Sequence, residues 1–203
     1  MDERWNHNIH YHRLVLAAVP AGARRVLDVG CGEGILAREL RSRAAHVVGI
    51  DSHEPSIERA RSSATEDSGL AFAVGDVLSH PFEPESFDAV VSIAALHHFD
   101  AAAGLARMRE LVRAGGVIAV VGLARSSTAI DRALDAAGLL ASWALRATRR
   151  HWEHASPIAW PPPESYASMR EIAERELPGA RMRRLLLWRY SLVWTKPAHG
   201  IGR

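Results

Sequence analysis

Between residues 25 and 34 an apolar run passes directly into three glycines in five positions, Arg25-Val26-Leu27-Asp28-Val29-Gly30-Cys31-Gly32-Glu33-Gly34. No other stretch constrains the fold as tightly. A buried strand that ends in Gly-x-Gly-x-Gly and enters a helix brings bare backbone against a ligand, because glycine has no Cβ. The helix is expected over residues 34–43, where Ile35, Leu36 and Leu40 recur at helical spacing between charges.

The apolar period then keeps switching. Strands are expected at 46–51, 70–74, 87–93 and 117–121, and helices at 54–65, opened by Ser52 and Pro55, and at 101–112. Gly115-Gly116 is expected to turn the chain into the fifth strand. Strands alternating with helices make this an α/β chain with a mostly parallel, doubly wound sheet. Beyond Leu123 the pattern reads as a helix over 126–150, a turn-rich segment at 156–163 and a helix over 164–175. Two β-rich runs follow, 182–188 and 190–195, as an antiparallel terminal hairpin.

Composition narrows the class. With 203 residues, 48% apolar and 24% charged, the chain is expected to form one domain, 1–203, and a disordered chain is excluded. No apolar run approaches the ~20 residues of a membrane span. The start, Met1-Asp2-Glu3-Arg4, is too polar for a secretory signal. Cys31 is the only cysteine, so neither an internal disulfide nor a cysteine metal knuckle is available, and a reducing cytoplasm is expected. A formal charge of +2 is a weak footprint for nucleic acid. Lys196 is the only lysine; coding bias and selection for arginine forks both account for that.

The glycine turn does not suit a dinucleotide. A NAD fingerprint would place its third glycine at position 35, which is Ile35. Asp28, just before the turn, repels a pyrophosphate and attracts an ammonium, which favours an amino-acid-bearing nucleoside. Asp51, ending the second strand, is placed to hold a ribose through its hydroxyls. Asp76 can accept from an adenine amino group, with Val77 donating from its backbone.

Five ordered motifs carry a resemblance: residues 27–34, Asp51, Gly75-Asp76-Val77, Phe87-Asp88-Ala89-Val90-Val91-Ser92, and Leu111-Val112-Arg113-Ala114-Gly115-Gly116. Together they resemble the class I S-adenosylmethionine-dependent methyltransferases, most closely the small-molecule type 11 subgroup, which includes quinone-precursor methylases. The likeness covers about residues 24–123, and Leu192-Val193-Trp194-Thr195-Lys196-Pro197 is similar to that fold's last strands. It implies a seven-stranded Rossmann-like sheet and S-adenosyl-L-methionine as the cofactor. The implied cofactor-binding set is Tyr11, Asp28, Gly30, Cys31, Gly32, Gly34, Asp51, Ser52, Asp76, Val77 and Ile93.

The expected reaction is metal-independent, in-line methyl transfer to oxygen, nitrogen or carbon of a small-molecule acceptor. His97 and His98 follow the fourth strand, where a histidine can act as general base. Alternatively one packs beneath the adenosine and the other caps the next helix at Asp100. The segment 1–23 is expected to act as a lid, with Asn8, His10, Tyr11 and His12 as its candidates. His7, His10 and His12 have no acidic or cysteine partner nearby for a metal. Residues 124–163 form the substrate-side insertion, where Trp143, Trp152 and Trp160, with Leu139, Leu140 and Leu145, either line an apolar pocket or pack the insertion down. Arg146, Arg149 and Arg150 suit either a solvated helix end or an anionic partner. A nucleic-acid methyltransferase is the alternative, supported by Arg181, Arg183, Arg184 and Arg189; Ser92-Ile93-Ala94-Ala95 lacks the motif that grips a flipped base. A non-catalytic donor-binding protein is a third reading.

Overall fold

The computed structural model describes residues 5–64, 69–149, 152 and 160–198. Seven strands form one sheet: β1 (Ala23–Val29), β2 (Ala44–Asp51), β3 (Leu70–Val74), β4 (Phe87–Ile93), β5 (Val112–Leu123), β6 (Arg181–Arg184) and β7 (Arg189–Thr195). Their order is β3-β2-β1-β4-β5-β7-β6, with β7 antiparallel to both neighbours and every other pairing parallel. The helices are α1 (His12–Ala18), α2 (Ile35–Leu40), α3 (Glu54–Ser62), α4 (Ala101–Leu111), α5 (Ala129–Thr148) and α6 (Tyr166–Glu176).

Alternation along the strands sorts the core into two layers. Leu27, Val29, Val90, Ile118 and Val120 face one side, where Leu105 and Met108 of α4 and Met169 and Ala173 of α6 cover them. Val26, Ala89, Val91, Ala119 and Val121 face the other, under Val15 of α1 and Leu36, Ala37 and Leu40 of α2. At the far end of β4 Asp88 clamps β1, accepting from the backbone amides of Arg24 (2.7 Å) and Arg25 (2.8 Å) and from Arg113. β1 lies between β2 and β4, so the connections diverge on either side of it. At such a switch point a crevice opens beyond the carboxyl ends of the strands.

Some expectations need correcting. Gly115-Gly116 does not precede β5; the strand starts at Val112, and a register irregularity opposite Phe87 and Ala89 takes up the extra residues. The terminal hairpin adds the antiparallel edge as expected, with β7 beside β5 and β6 outermost. Its first run stops at Arg184, and Leu187 and Trp188 turn the chain at φ 55° and 58°. The insertion helix is shorter than 126–150, starting after a capping box between Thr128 and Asp131 and ending at Thr148. The helix expected over 54–65 ends at Ser62, while part of the turn-rich segment and Arg150 lie outside the described residues.

Candidate functional site

The carboxyl ends of β1 to β4 converge on a cavity of about 400 Å³. Its floor is the glycine turn. Gly30, Gly32 and Gly34 take φ of 70°, 52° and 71°, a left-handed region that side chains rarely enter. A Cβ on Gly30 would collide with Ala95, and one on Gly34 with the Phe72 ring. The amides of Gly30 (2.8 Å) and Cys31 (3.1 Å) donate to the Ile50 carbonyl, binding the turn to β2. Asp51 braces it further: one carboxylate oxygen accepts from the Gly32 amide and the other from the His53 amide, both at 2.8 Å. Each oxygen keeps a lone pair for a ligand hydroxyl.

Asp28 is 1% exposed, lines the cavity, and its Oδ2 has no hydrogen-bond partner. Burial, reinforced by repulsion from Asp51, pushes its carboxyl up to about 8, against a smaller pull from the Ala37 amide. A buried acceptor without a donor is costly, and an ammonium placed there would satisfy it. The donor set therefore suits an amino acid: an orphaned carboxylate beside a turn with no side chains in the way. Burial likewise pushes the Cys31 thiol up, so it faces the cavity as a small neutral group.

Ser52, Asp76, Val77 and Ile93 also line the cavity. Asp76 is exposed, with its Oδ1 accepting from the Leu78 amide at 2.9 Å, and Val77 beside it is buried. After β4 the chain leaves through Ala94 at φ 54°, a strained conformation for a non-glycine residue on the cavity wall.

Three of the expected residues do not themselves line the cavity. Gly34 closes the glycine turn as the N-cap of α2. Tyr11 is buried beside the cavity, donating its hydroxyl to the Leu186 carbonyl at 2.7 Å. His97 is half-buried off the wall with its Nδ1 unpartnered; burial first, then His98 and Arg189, lower it to about 4. His98 is exposed and faces the cavity. Neither histidine caps α4, since Asp100 does so with its own side chain, accepting from Ala103 at 2.7 Å.

The N-terminal segment supplies Asn6, Asn8, Ile9 and His12 to the wall, while His10 stays exposed. Asn6 holds this turn, its Oδ1 accepting from the amides of Asn8 and Ile9, both at 2.9 Å. Trp152 also reaches the cavity, whereas Trp143 and Trp160 are exposed, as are Leu139 and Leu140. Sequence reasoning missed Asn6, His53 and Phe99, which line the cavity without any motif to mark them, and Glu33, which sits within the glycine turn. It also missed the inward turn of the basic cluster. Arg184 pairs with Asp135 at 2.7 Å and lies 3.4 Å over the Tyr166 ring, and Arg189 is 8% exposed. Among the described residues no group of three His, Cys, Asp or Glu could hold a metal, and no helix is long and apolar enough to cross a membrane.

Comparison with known proteins agrees with this geometry. Residues 26–116 match a family described as a methyltransferase domain. An uncharacterised methyltransferase of Mycobacterium tuberculosis is 38% identical over 202 residues, covering 97% of this chain and 100% of the relative. The ubiquinone biosynthesis O-methyltransferase of Methylocella silvestris is 35% identical over 141 residues, 68% of this chain and 55% of that one. A solved phosphoethanolamine N-methyltransferase of Haemonchus contortus, in complex with phosphomonomethylethanolamine and S-adenosylhomocysteine, shares the fold. Its TM-score is 0.65 over 95% of this chain and 53% of that one, at 17% identity.

Proposed function

The chain belongs to the class I S-adenosylmethionine-dependent methyltransferases, of the type 11-like kind, and on that premise we propose that it methylates oxygen, nitrogen or carbon of a small-molecule acceptor. When bound, S-adenosylmethionine supplies a methyl group already activated by its sulfonium, ready for in-line displacement. Asp28 takes the ammonium of its amino acid, the open space above the glycine turn admits the rest, and Asp51 and Ser52 hold the ribose. Asp76 and Val77 receive the adenine. Ile93, Phe99 and Trp152 keep water from the reacting centre.

Where the acceptor atom must lose a proton, His98 is the candidate base, because its ring faces the cavity. His97 is a positioning neighbour, with ring centroids 4.2 Å apart. The sulfonium already activates the methyl group, so the proposed transfer needs no metal ion, and a reducing cytoplasm suits the single buried thiol.

One observation favours a small acceptor over nucleic acid. The basic cluster of residues 181–189 is partly folded inward, with Arg184 paired and Arg189 buried, leaving only Arg181 and Arg183 exposed. That is a poor footprint for a phosphate backbone. The relative named for ubiquinone biosynthesis supports the same reading. A screen of phenols, amines and carboxylic acids against bulk tRNA, following S-adenosylhomocysteine formation, tests it. Turnover with a small acceptor, reduced about 10²–10⁴-fold in His98→Ala if the histidine is a base, is the expected result. Turnover with tRNA alone, steeply weakened by salt, would reverse the assignment.

A further inference from the structure

We propose that Asn8 and Arg189 form a receiving site for a carboxylate carried by the acceptor, so that the enzyme prefers acidic acceptors. This rests on the methyl-transfer reading above and specifies its substrate class.

Arg189 opens β7, is 8% exposed, and donates only to neutral oxygens. Its Nε and Nη2 lie 3.3 and 2.7 Å from Asn8 Oδ1, and its Nη1 lies 3.2 Å from the Leu187 carbonyl. Among the described residues no carboxylate pairs with it, whereas Arg184, five residues earlier, has Asp135. Tyr11 is no counter-ion, because its hydroxyl donates to the Leu186 carbonyl. A charge taken out of water without a partner is expensive, and an arriving anion would relieve that cost. Leu187 and Trp188, held at left-handed φ just before Arg189, turn the strand inward at this point.

Asn8 transmits the charge to the cavity. Arginine only donates, so the Asn8 carbonyl must face it, and the amide N–H pair is left for the cavity that Asn8 lines. Those hydrogens, polarised by the guanidinium behind them, suit a carboxylate oxygen. The cavity is thus two-signed, with the Asp51 carboxylate on the floor and a cation behind the opposite wall. Arg189 stands close enough to Tyr11 and to His97 of the loop after β4 to act on both. The apolar lining of Ile93, Phe99 and Trp152 can take an aromatic ring beside the carboxylate.

The test uses the full chain saturated with S-adenosylhomocysteine, titrated with benzoate and with its neutral isostere benzamide. Donor binding by the wild type is read first, so a failure of the methyltransferase reading shows separately. Benzoate is expected to bind about tenfold more tightly than benzamide. Asn8→Asp, which sets a carboxylate beside Arg189 and so preserves folding, should abolish that preference without lowering Tm or S-adenosylhomocysteine affinity. Equal binding of benzoate and benzamide by the wild type would overturn the proposal. So would an Asn8→Asp variant that weakens S-adenosylhomocysteine but not 5′-methylthioadenosine, since Asn8 would then hold the donor's own carboxylate.

Discussion

The cavity is held by two regions built on different principles. Residues 23–123 supply strand ends, and their polar groups reach one another through backbone register: Gly30 and Cys31 on Ile50, Gly32 on Asp51. Residues 5–22 and 124–195 supply the opposite wall through contacts between distant parts of the chain. Asn8 meets Arg189, the Tyr11 hydroxyl meets the Leu186 carbonyl, His7 meets Ser142 at 3.1 Å, and the Trp152 amide donates to the Trp5 carbonyl at 2.8 Å. The first region is tied together by its sheet. The second is a set of side-chain contacts that substitution can retune without disturbing the sheet, which suits the acceptor-choosing role proposed for it.

Gly30→Ala strikes the rigid half hardest. It forces alanine into left-handed backbone and drives a Cβ into Ala95, so stability is expected to fall by about 2–5 kcal/mol, read as a loss of Tm. A variant as stable as wild type would mean that the turn is not locked. Asp51→Ala should act more gently, weakening S-adenosylhomocysteine by about 1–3 kcal/mol in calorimetry, through lost ribose contacts and a loosened Gly32 amide. Unchanged affinity would remove the ribose assignment. In the other half, Trp143→Ser should change stability by less than about 0.5 kcal/mol in denaturant unfolding, since Trp143 is 70% exposed. A much larger loss would show that α5 packs down, and would erase the contrast.

The same contrast explains how much was legible in the sequence. Strands β3 and β4 were readable to the residue, and the glycine turn with Asp28, Asp51 and Asp76 could be placed because each sits at the end of its own apolar run. Arg189 could not. It reads as one more arginine in a basic stretch, and only the pairing of β7 between β5 and β6 brings it behind Asn8, 181 residues away. Gly115-Gly116 misled for a related reason: a glycine pair signals a turn, but here the neighbouring strand absorbs the irregularity and β5 runs through it. His97 and His98 were indistinguishable as adjacent letters, and the short turn that carries them exposes one to the cavity and half-buries the other.

On the proposed reading, Asp28 waits, protonated and with its Oδ2 unpartnered, for the ammonium of the donor's amino acid. With its carboxyl raised to about 8, Asp28 holds its proton at pH 7 in the free protein. A bound ammonium lowers that value, so binding must expel the proton. Titrating S-adenosylhomocysteine at pH 7 in phosphate and in Tris, whose ionisation enthalpies differ, measures the release. Close to one proton should leave per molecule bound, and Asp28→Asn should release none and bind about 100-fold more weakly. Identical enthalpies in the two buffers, or full affinity in Asp28→Asn, would mean that Asp28 does not receive the ammonium.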